Sequence, residues 1–422
     1  MLTSVLRLGI LGASETIQTT ILPALTSLSS LYKLTIIYDQ NEALAKHCQK
    51  HFNITYSTTS AEHLITHPEV DLVLNLLPFE FHEQYTIAAL EAGKHVMVEV
   101  PLSLSIHGLR RIRIATKKGM TNRSNNNPYD PPKIFVGCAH RYAPCFTDIF
   151  KKELATLGRV YYACCRNISG PLRIPTQPSN TSTSTSTNDY GITTNMNANG
   201  NAVPASQNTA ITTHLNNLLA DIFGEDLTPD RIAFCRFLGN LGCHDLSLMR
   251  ESLGLPDAVA NVAITDPFYS AIFHYMDSES ICGSSGEGHP FTVLYETGVD
   301  SVPRCDAHLT IYGATKTISV EYEFPSLARP VAVGGAVRVV IEEVGDCFDR
   351  DGRPRVKRTE AVSSVDESYE RELLAMHSYF VETGTGGEAK TTANDALMDL
   401  QLLNMIFEHY DRQCGTIRTP LG

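Results

Sequence analysis

Residues 71–104 constrain this chain more than any other stretch. They open with an apolar run, Leu72 to Leu77, short enough to be a strand buried on both faces. Pro78 ends that run, because proline has no N–H to give to a ladder. Helical spacing follows through Tyr85, Ala88, Ala89 and Ala92, and Gly93 stands where a helix C-terminus favours the left-handed conformation. A second apolar run, His95 to Val98, then meets Glu99 and Pro101. Strand, helix and strand within about thirty residues predict a parallel crossover unit. Chemistry in such sheets gathers at the carboxyl ends of the strands, so Pro78, His82 and Glu99 are expected to border a ligand crevice.

The chain ahead of this unit shows the same alternation. Residues 5–11 read as a first strand, residues 12–17 as a turn into a helix ending near Leu28, and Leu34 to Tyr38 as a second strand closed by Asp39. The order strand, glycine turn, helix, strand, acid is a dinucleotide-binding arrangement, with the pyrophosphate at the helix N-terminus. An acid in that place takes the ribose hydroxyls and repels a 2′-phosphate, which favours NAD over NADP. Gly12, Ala13, Ser14 and Asp39 are therefore candidate cofactor residues. Measured against a Gly-x-Gly-x-x-Gly loop, Ser14 replaces the second glycine and Ile17 the third. Ile17 is expected to push the helix off the first strand or to mark an altered turn. Without Asp39 and the later stretch, the segment reads as an ordinary strand–turn–helix of an α/β fold; with both in this order, a nucleotide site is the expectation.

The stretch 71–104 also resembles the Gfo/Idh/MocA dehydrogenases, the family of glucose–fructose oxidoreductase and inositol dehydrogenase. Pro78, His82, Ala89 to Val96, Glu99 and Pro101 match the family pattern, but the lysine of its Glu-Lys-Pro is Val100 here. A second match runs from Phe237 to Pro256, with Gly242, His244, Leu253, Gly254 and Pro256 in place. There the family's aspartate, four residues before the histidine, is Asn240. The His140-Arg141-Tyr142 run resembles the start of the family's interdomain helix, and Arg141 is a candidate for placing cofactor or substrate, with carboxylate pairing as its alternative.

The resemblance implies an α/β fold: an N-terminal Rossmann doubly wound parallel sheet over residues 1–140, then an α+β domain over 141–422 with an open, mainly antiparallel sheet. It implies NAD or NADP as cofactor, a small-molecule substrate, and a homodimer or larger homo-oligomer formed on the open sheet face. His244 is the expected acid–base group, since imidazole exchanges a proton near neutral pH. Asn240 and Tyr142 complete the candidate catalytic set. Four residues apart on a helix, Asn240 and His244 share a face. Valine carries no donor, acceptor or charge, and asparagine cannot take a proton. The expected reaction is thus an oxidoreduction of a carbonyl or hydroxyl, or of an imine or conjugated alkene, with an altered proton-transfer set. A redox-neutral lyase, isomerase or cyclase, and a ligand-binding sensor without catalysis, are the alternatives.

Composition narrows the partners. A formal net charge of -12 argues against nucleic acid and acidic membrane surfaces. Eleven cysteines, scattered without Cys-x-x-Cys spacing, predict neither a metal site nor a disulfide framework, and a cytoplasmic home is the simplest reading. Two stretches have little apolar to bury: 121–133, read as a loop insertion, and the Ser/Thr/Asn-rich 176–212, read as disordered or a flap.

Overall fold

The computed structural model describes residues 5–122, 131–170, 205–224, 227–276, 289–300, 302, 304–323, 336–348, 351–381 and 389–414. In chain order the elements begin β1 (Leu6–Leu11), α1 (Glu15–Thr19), α2 (Ile21–Ser27), β2 (Tyr32–Tyr38), α3 (Glu42–His51), β3 (Tyr56–Thr58), α4 (Ala61–Thr66), β4 (Leu72–Asn75), α5 (His82–Glu91), β5 (His95–Glu99), α6 (Ile106–Asn122) and β6 (Ile134–Gly137). They continue with α7 (Lys151–Ala155), β7 (Tyr162–Ser169), α8 (Ala205–Phe223), α9 (Pro229–Phe237), α10 (Cys243–Leu253), β8 (Ala258–Thr265), β9 (Phe268–Tyr275), β10 (Phe291–Val299), β11 (Cys305–Tyr312) and β12 (Lys316–Glu321). The long strands β13 (Ala336–Phe348) and β14 (Pro354–Ser364) and the helices α11 (Val365–Val381) and α12 (Ala393–Cys414) follow. Two compact units result: one holds the chain up to Ala139 with α8 and Tyr369 to Leu400, the other the remainder.

In the first unit six parallel strands lie in the order β3-β2-β1-β4-β5-β6. The sequence dictates this sheet: β4 is buried at all four positions, and Leu8, Ile10, Leu11, Ile36 and Ile37 are fully shielded. Each such side chain contributes about 1.5–3 kcal/mol on leaving water. Gly9 lets β1 pack closely on α4, since a Cβ there would come within 2.7 Å of Leu64 Cδ2. Gly93 adopts φ 75° just beyond α5, the left-handed stop its position predicts.

The helix expected to run from the glycine turn to Leu28 is two helices. Thr20 breaks it at φ -123°, ψ -73°, and its hydroxyl donates to the Thr16 carbonyl at 2.6 Å. Pro23 explains the restart, since it has no N–H for the preceding turn and fits only the first turn of a new helix.

In the second unit eight strands lie in the order β14-β13-β12-β11-β7-β10-β9-β8. Every neighbour pair is antiparallel except β7 with β10. β14 was not legible in sequence, because it is exposed along almost its whole length and shows no apolar alternation.

Two sequence expectations fall partly outside the described residues: the loop insertion at 123–130 and the low-complexity stretch over 176–204. Residues 205–212, read with the latter, instead form the first turns of α8. Ile211, Leu215, Leu218, Leu219 and Ile222 recur at helical spacing there, and Leu215 and Leu219 are buried, so packing overrides the Asn/Thr-rich composition. Among the described residues no helix is long and apolar enough to cross a membrane.

Candidate active site

The first group of candidate residues stands at the carboxyl ends of β1 and β2. Gly12 adopts φ 104°, and a Cβ there would lie 3.0 Å from the Leu76 carbonyl oxygen, so the loop keeps a close backbone approach only glycine allows. Ser14 caps α1, its hydroxyl accepting from the Ile17 N–H at 3.4 Å. The Asp39 carboxylate accepts from the Ala13 N–H at 3.1 Å and from the Asn41 N–H at 2.8 Å. Burial raises its pKa, with the two amide donors opposing that shift. Ile17, in the third glycine's place, folds under the turn with 4% exposure, and the helix it starts lasts five residues. The fingerprint's departure is thus absorbed by a short helix. The loop still fits a dinucleotide: the glycine keeps its cradle open, and Asp39 keeps lone pairs beside it for ribose hydroxyls.

A second group gathers where β4 and β5 end. Pro78 is exposed and starts the single 3-10 turn Phe79–Phe81 that leads into α5. His82 is buried, with Nδ1 2.8 Å from the Pro101 carbonyl and Nε2 2.8 Å from the Leu77 carbonyl. Both ring nitrogens therefore serve the backbone and clamp the two strand ends together. Burial lowers the His82 pKa, while its two carbonyl partners favour the proton; the neutral ring clamps through one donated bond, and only the imidazolium donates to both carbonyls. Asn75 supports the clamp, its Nδ2 donating to the His82 carbonyl at 3.0 Å. Glu99 lies against Gly137, and burial pushes its carboxyl up to about 7. Val100 is 5% exposed and its N–H donates to the Gly137 carbonyl at 3.0 Å.

Beside these strand ends lies a cavity of about 280 Å³, lined by Phe79, Pro101 and Ser103 from the strand-end loops and by His214, Asn217 and Asp221 from α8. Arg111 of α6 holds the helix there, donating to Glu83 of α5 and Asp221 of α8. The His214 ring packs on Phe81 at 4.9 Å. This wall was missed in the sequence because α8 was hidden in a stretch read as low complexity.

The second unit holds the other candidates. A π-helical turn, Leu238–Gly242, leads into α10, placing Asn240 and His244 on successive turns. Asn240 turns its amide back onto its own helix, Nδ2 donating to the Arg236 carbonyl at 2.9 Å. The His244 ring stands edge-on to His140 at 6.3 Å, and His140 leans on Tyr322 at 5.3 Å. Tyr142 is buried, as is Arg141, which pairs with Glu251 and donates to Ser247 Oγ at 3.0 Å. Lys151 joins Glu251 from the other side, so Arg141 takes the carboxylate-pairing role.

One group there escaped the sequence reading. Asp245 is fully buried; Tyr322 donates to it at 2.7 Å and Asn167 Nδ2 at 3.0 and 3.1 Å. Desolvation pushes its carboxyl up to about 7 against those two donors. The available signal was a charged residue on the buried side of α10 facing Asn167, an inward position of β7. Among the described residues no cluster of three His, Cys, Asp or Glu side chains is arranged to hold a metal.

Residues 6–123 match the model of an oxidoreductase family, GFO_IDH_MocA, with an NAD-binding Rossmann fold. An uncharacterized oxidoreductase of Rhizobium meliloti, ORF334, is 31% identical over 106 residues, 25% of this chain and 31% of that protein. A 1,5-anhydro-D-fructose reductase of Ensifer adhaerens is 39% identical over 62 residues, 15% of this chain and 19% of that protein. The chain thus spans about a third or less of the curated relatives it matches. Over nearly the full length the fold is similar to that of a levoglucosan dehydrogenase in complex with NADH and levoglucosan, at 16% identity and TM-score 0.63, covering 97% of this chain and 98% of that one.

Proposed function

We propose, from a chain whose residues 6–123 belong to the Gfo/Idh/MocA oxidoreductases with their NAD-binding Rossmann fold, an NAD(P)-dependent oxidoreductase of a small carbonyl or hydroxyl substrate. The observation that carries this reading is the loop at Gly12 with Asp39 beside it, an open backbone cradle next to a carboxylate. Gly12, Ala13 and Ser14 hold the pyrophosphate side of the dinucleotide, and Asp39 takes the ribose, with NAD preferred over NADP. Pro78 and Glu99 border the nicotinamide side. His82 and Arg141 act at one remove, each holding its loop through bonds already made.

When bound, the nicotinamide supplies or accepts the hydride. His244 exchanges the proton at the substrate oxygen, and Tyr142 and Asn240 orient that oxygen. Val100 contributes shape and excludes water where the family has a lysine. A proton set reduced to His244 suits reduction of an activated carbonyl, imine or conjugated alkene better than oxidation of a plain alcohol. The names of two relatives point to anhydro sugars as first substrates to try. A homodimer or larger homo-oligomer belongs to the same reading.

Thermal melting with and without NADH or NADPH tests it. A ligand at a hundred times its dissociation constant adds about 2.7 kcal/mol, a clear rise in the melting midpoint. No rise with any nicotinamide dinucleotide overturns the reading.

A further inference from the structure

Asp245 is fully buried, yet the residue before it on α10, His244, keeps part of its surface exposed. A carboxyl shielded in this way costs stability that an apolar side chain of similar volume would not, so packing alone does not account for it. Its two oxygens are held from both sides. Asn167 Nδ2 donates to each of them. Asn167 is itself fixed, its Oδ1 accepting from Ser169 Oγ at 2.8 Å and its carbonyl from Thr297 Oγ1 at 3.1 Å. Asn167, Ser169 and Thr297 are each no more than 2% exposed. A polar network satisfied and shielded to this degree is rigid.

The other donor is Tyr322, whose hydroxyl meets Asp245 Oδ1 at 2.7 Å and whose N–H donates to the Ala307 carbonyl at 3.0 Å. Tyr322 is thus pinned at both ends, at the sheet and at α10. His140 leans on its ring at 5.3 Å, and His140 Nε2 lies 3.2 Å from the Glu323 carbonyl. The His244 ring stands edge-on to His140, their planes 88° apart. Contacts therefore run from a rigid interior, through two rings, to the part-exposed imidazole. All of these residues lie in the second unit. The Cys165 thiol and the Tyr295 hydroxyl also lie near the Asp245 carboxyl, and burial raises the pKa of both, so both stay neutral.

Resting on the reading of His244 as the proton-exchanging group, we infer that Asp245 and Tyr322 are its positioning residues. Asp245 holds Tyr322, Tyr322 holds His140, and His140 holds the His244 ring in the orientation the reaction uses. The same carboxyl acts on His244 by charge. As it ionises, it places a negative charge one residue from the imidazole, which favours the imidazolium. The Tyr322 hydroxyl favours the carboxylate. Without it the charge appears only at higher pH, and His244 releases its proton at lower pH.

NMR of the histidine ring hydrogens of the full chain, titrated from about pH 5 to about pH 9 without cofactor or substrate, tests the inference. His244→Asn identifies the His244 signal as the one it deletes. In Tyr322→Phe and in Asp245→Leu the His244 midpoint is expected to fall by about half a pH unit or more, and its signals to shift together with those of His140. Tyr32→Phe is the control. It deletes a buried tyrosine hydroxyl of the first unit, bonded to the Leu373 carbonyl at 2.6 Å, and should leave His244 unchanged. Circular dichroism reports whether each variant folds, and Tyr322→Phe, which loses a single oxygen, keeps the test open if Asp245→Leu unfolds. A His244 midpoint unchanged in Tyr322→Phe, or moved as far by Tyr32→Phe, overturns the inference. Absence of an NADH-induced rise in the melting midpoint overturns the functional reading instead, and the titration is read independently of it.

Discussion

The Tyr322 hydroxyl donates to Asp245 Oδ1 at 2.7 Å, joining the residue after β12 to helix α10. Asn167 adds two further bonds to the same carboxyl, and each of these donors is neutral. Burial favours the acid form and pushes the Asp245 carboxyl up to about 7, against these donors, which favour the carboxylate. An unfolded aspartate titrates near ~3.9. Between those values the folded state holds a proton the unfolded state has lost, so stability from this group falls as pH rises from about 4 to about 7 and is flat above. Asp245→Asn should remove that slope. Melting midpoints of wild type and variant, compared from about pH 5 to pH 8, should diverge, with the wild type losing stability relative to the variant. Parallel profiles would mean that Asp245 does not titrate in this range.

Gly12 offers a test of the loop. Alanine there must adopt φ 104° and bring its Cβ within 3.0 Å of the Leu76 oxygen. Strain of this kind costs about 1–3 kcal/mol. Gly12→Ala should therefore lower the melting midpoint, and the displaced turn should also lose the rise given by NADH. Asp39→Ala separates the two effects. It leaves the loop conformation permitted, removes the acceptor of the Ala13 and Asn41 amides, and should narrow the preference for NADH over NADPH. Isothermal titration with both dinucleotides measures this, and an unchanged preference would remove Asp39 from the ribose site.

Arg111 ties α6 to both Glu83 and Asp221, and its side chain is 45% exposed. Ion pairs at such exposure contribute about 0.2–1 kcal/mol, so global stability should hardly change on Arg111→Ala. The effect should be local, because Asp221 is the ionic anchor of α8. Hydrogen exchange should accelerate across Ala205–Phe223 while the strands β1 to β6 keep their protection. Unchanged exchange would show that the Phe81–His214 contact and the buried Leu215 and Leu219 hold the helix without the arginine.

Much of this architecture could be read in the residues, and for a physical reason. The strands of the parallel sheet are buried on both faces, so β1, β2, β4 and β5 appear as plain apolar runs. β14 and α8 could not be found this way, one being exposed and the other carrying Asn and Thr along its outer side. At the site, the positions of Gly12, Asp39 and His82 followed from their places at strand ends. What those side chains bond to did not, because His82 Nε2 meeting the Leu77 carbonyl and Arg141 meeting Glu251 depend on loop paths and on contacts over a hundred residues apart. Asp245 was missed since it follows the more conspicuous His244 and its carboxyl is turned wholly into the protein.

His244 carries the final and most direct prediction. Its ring faces His140, whose burial lowers the pKa and whose Nε2 lies 3.2 Å from the Glu323 carbonyl. A neutral neighbour leaves His244 able to take a proton without like-charge repulsion. His244→Asn preserves a polar side chain of similar reach and removes the exchangeable proton. Loss of a general acid or base lowers kcat by about 10²–10⁴. The variant should keep the NADH-induced rise in melting midpoint, and the wild-type dependence of kcat on pH near neutrality should flatten. Asn240→Asp is the complementary change, and it should not compensate. A carboxylate there cannot donate to the Arg236 carbonyl as the amide does, which costs about 1–3 kcal/mol of stability. A His244→Asn enzyme with wild-type turnover, or an Asn240→Asp enzyme that outperforms the wild type, would transfer the proton role away from His244.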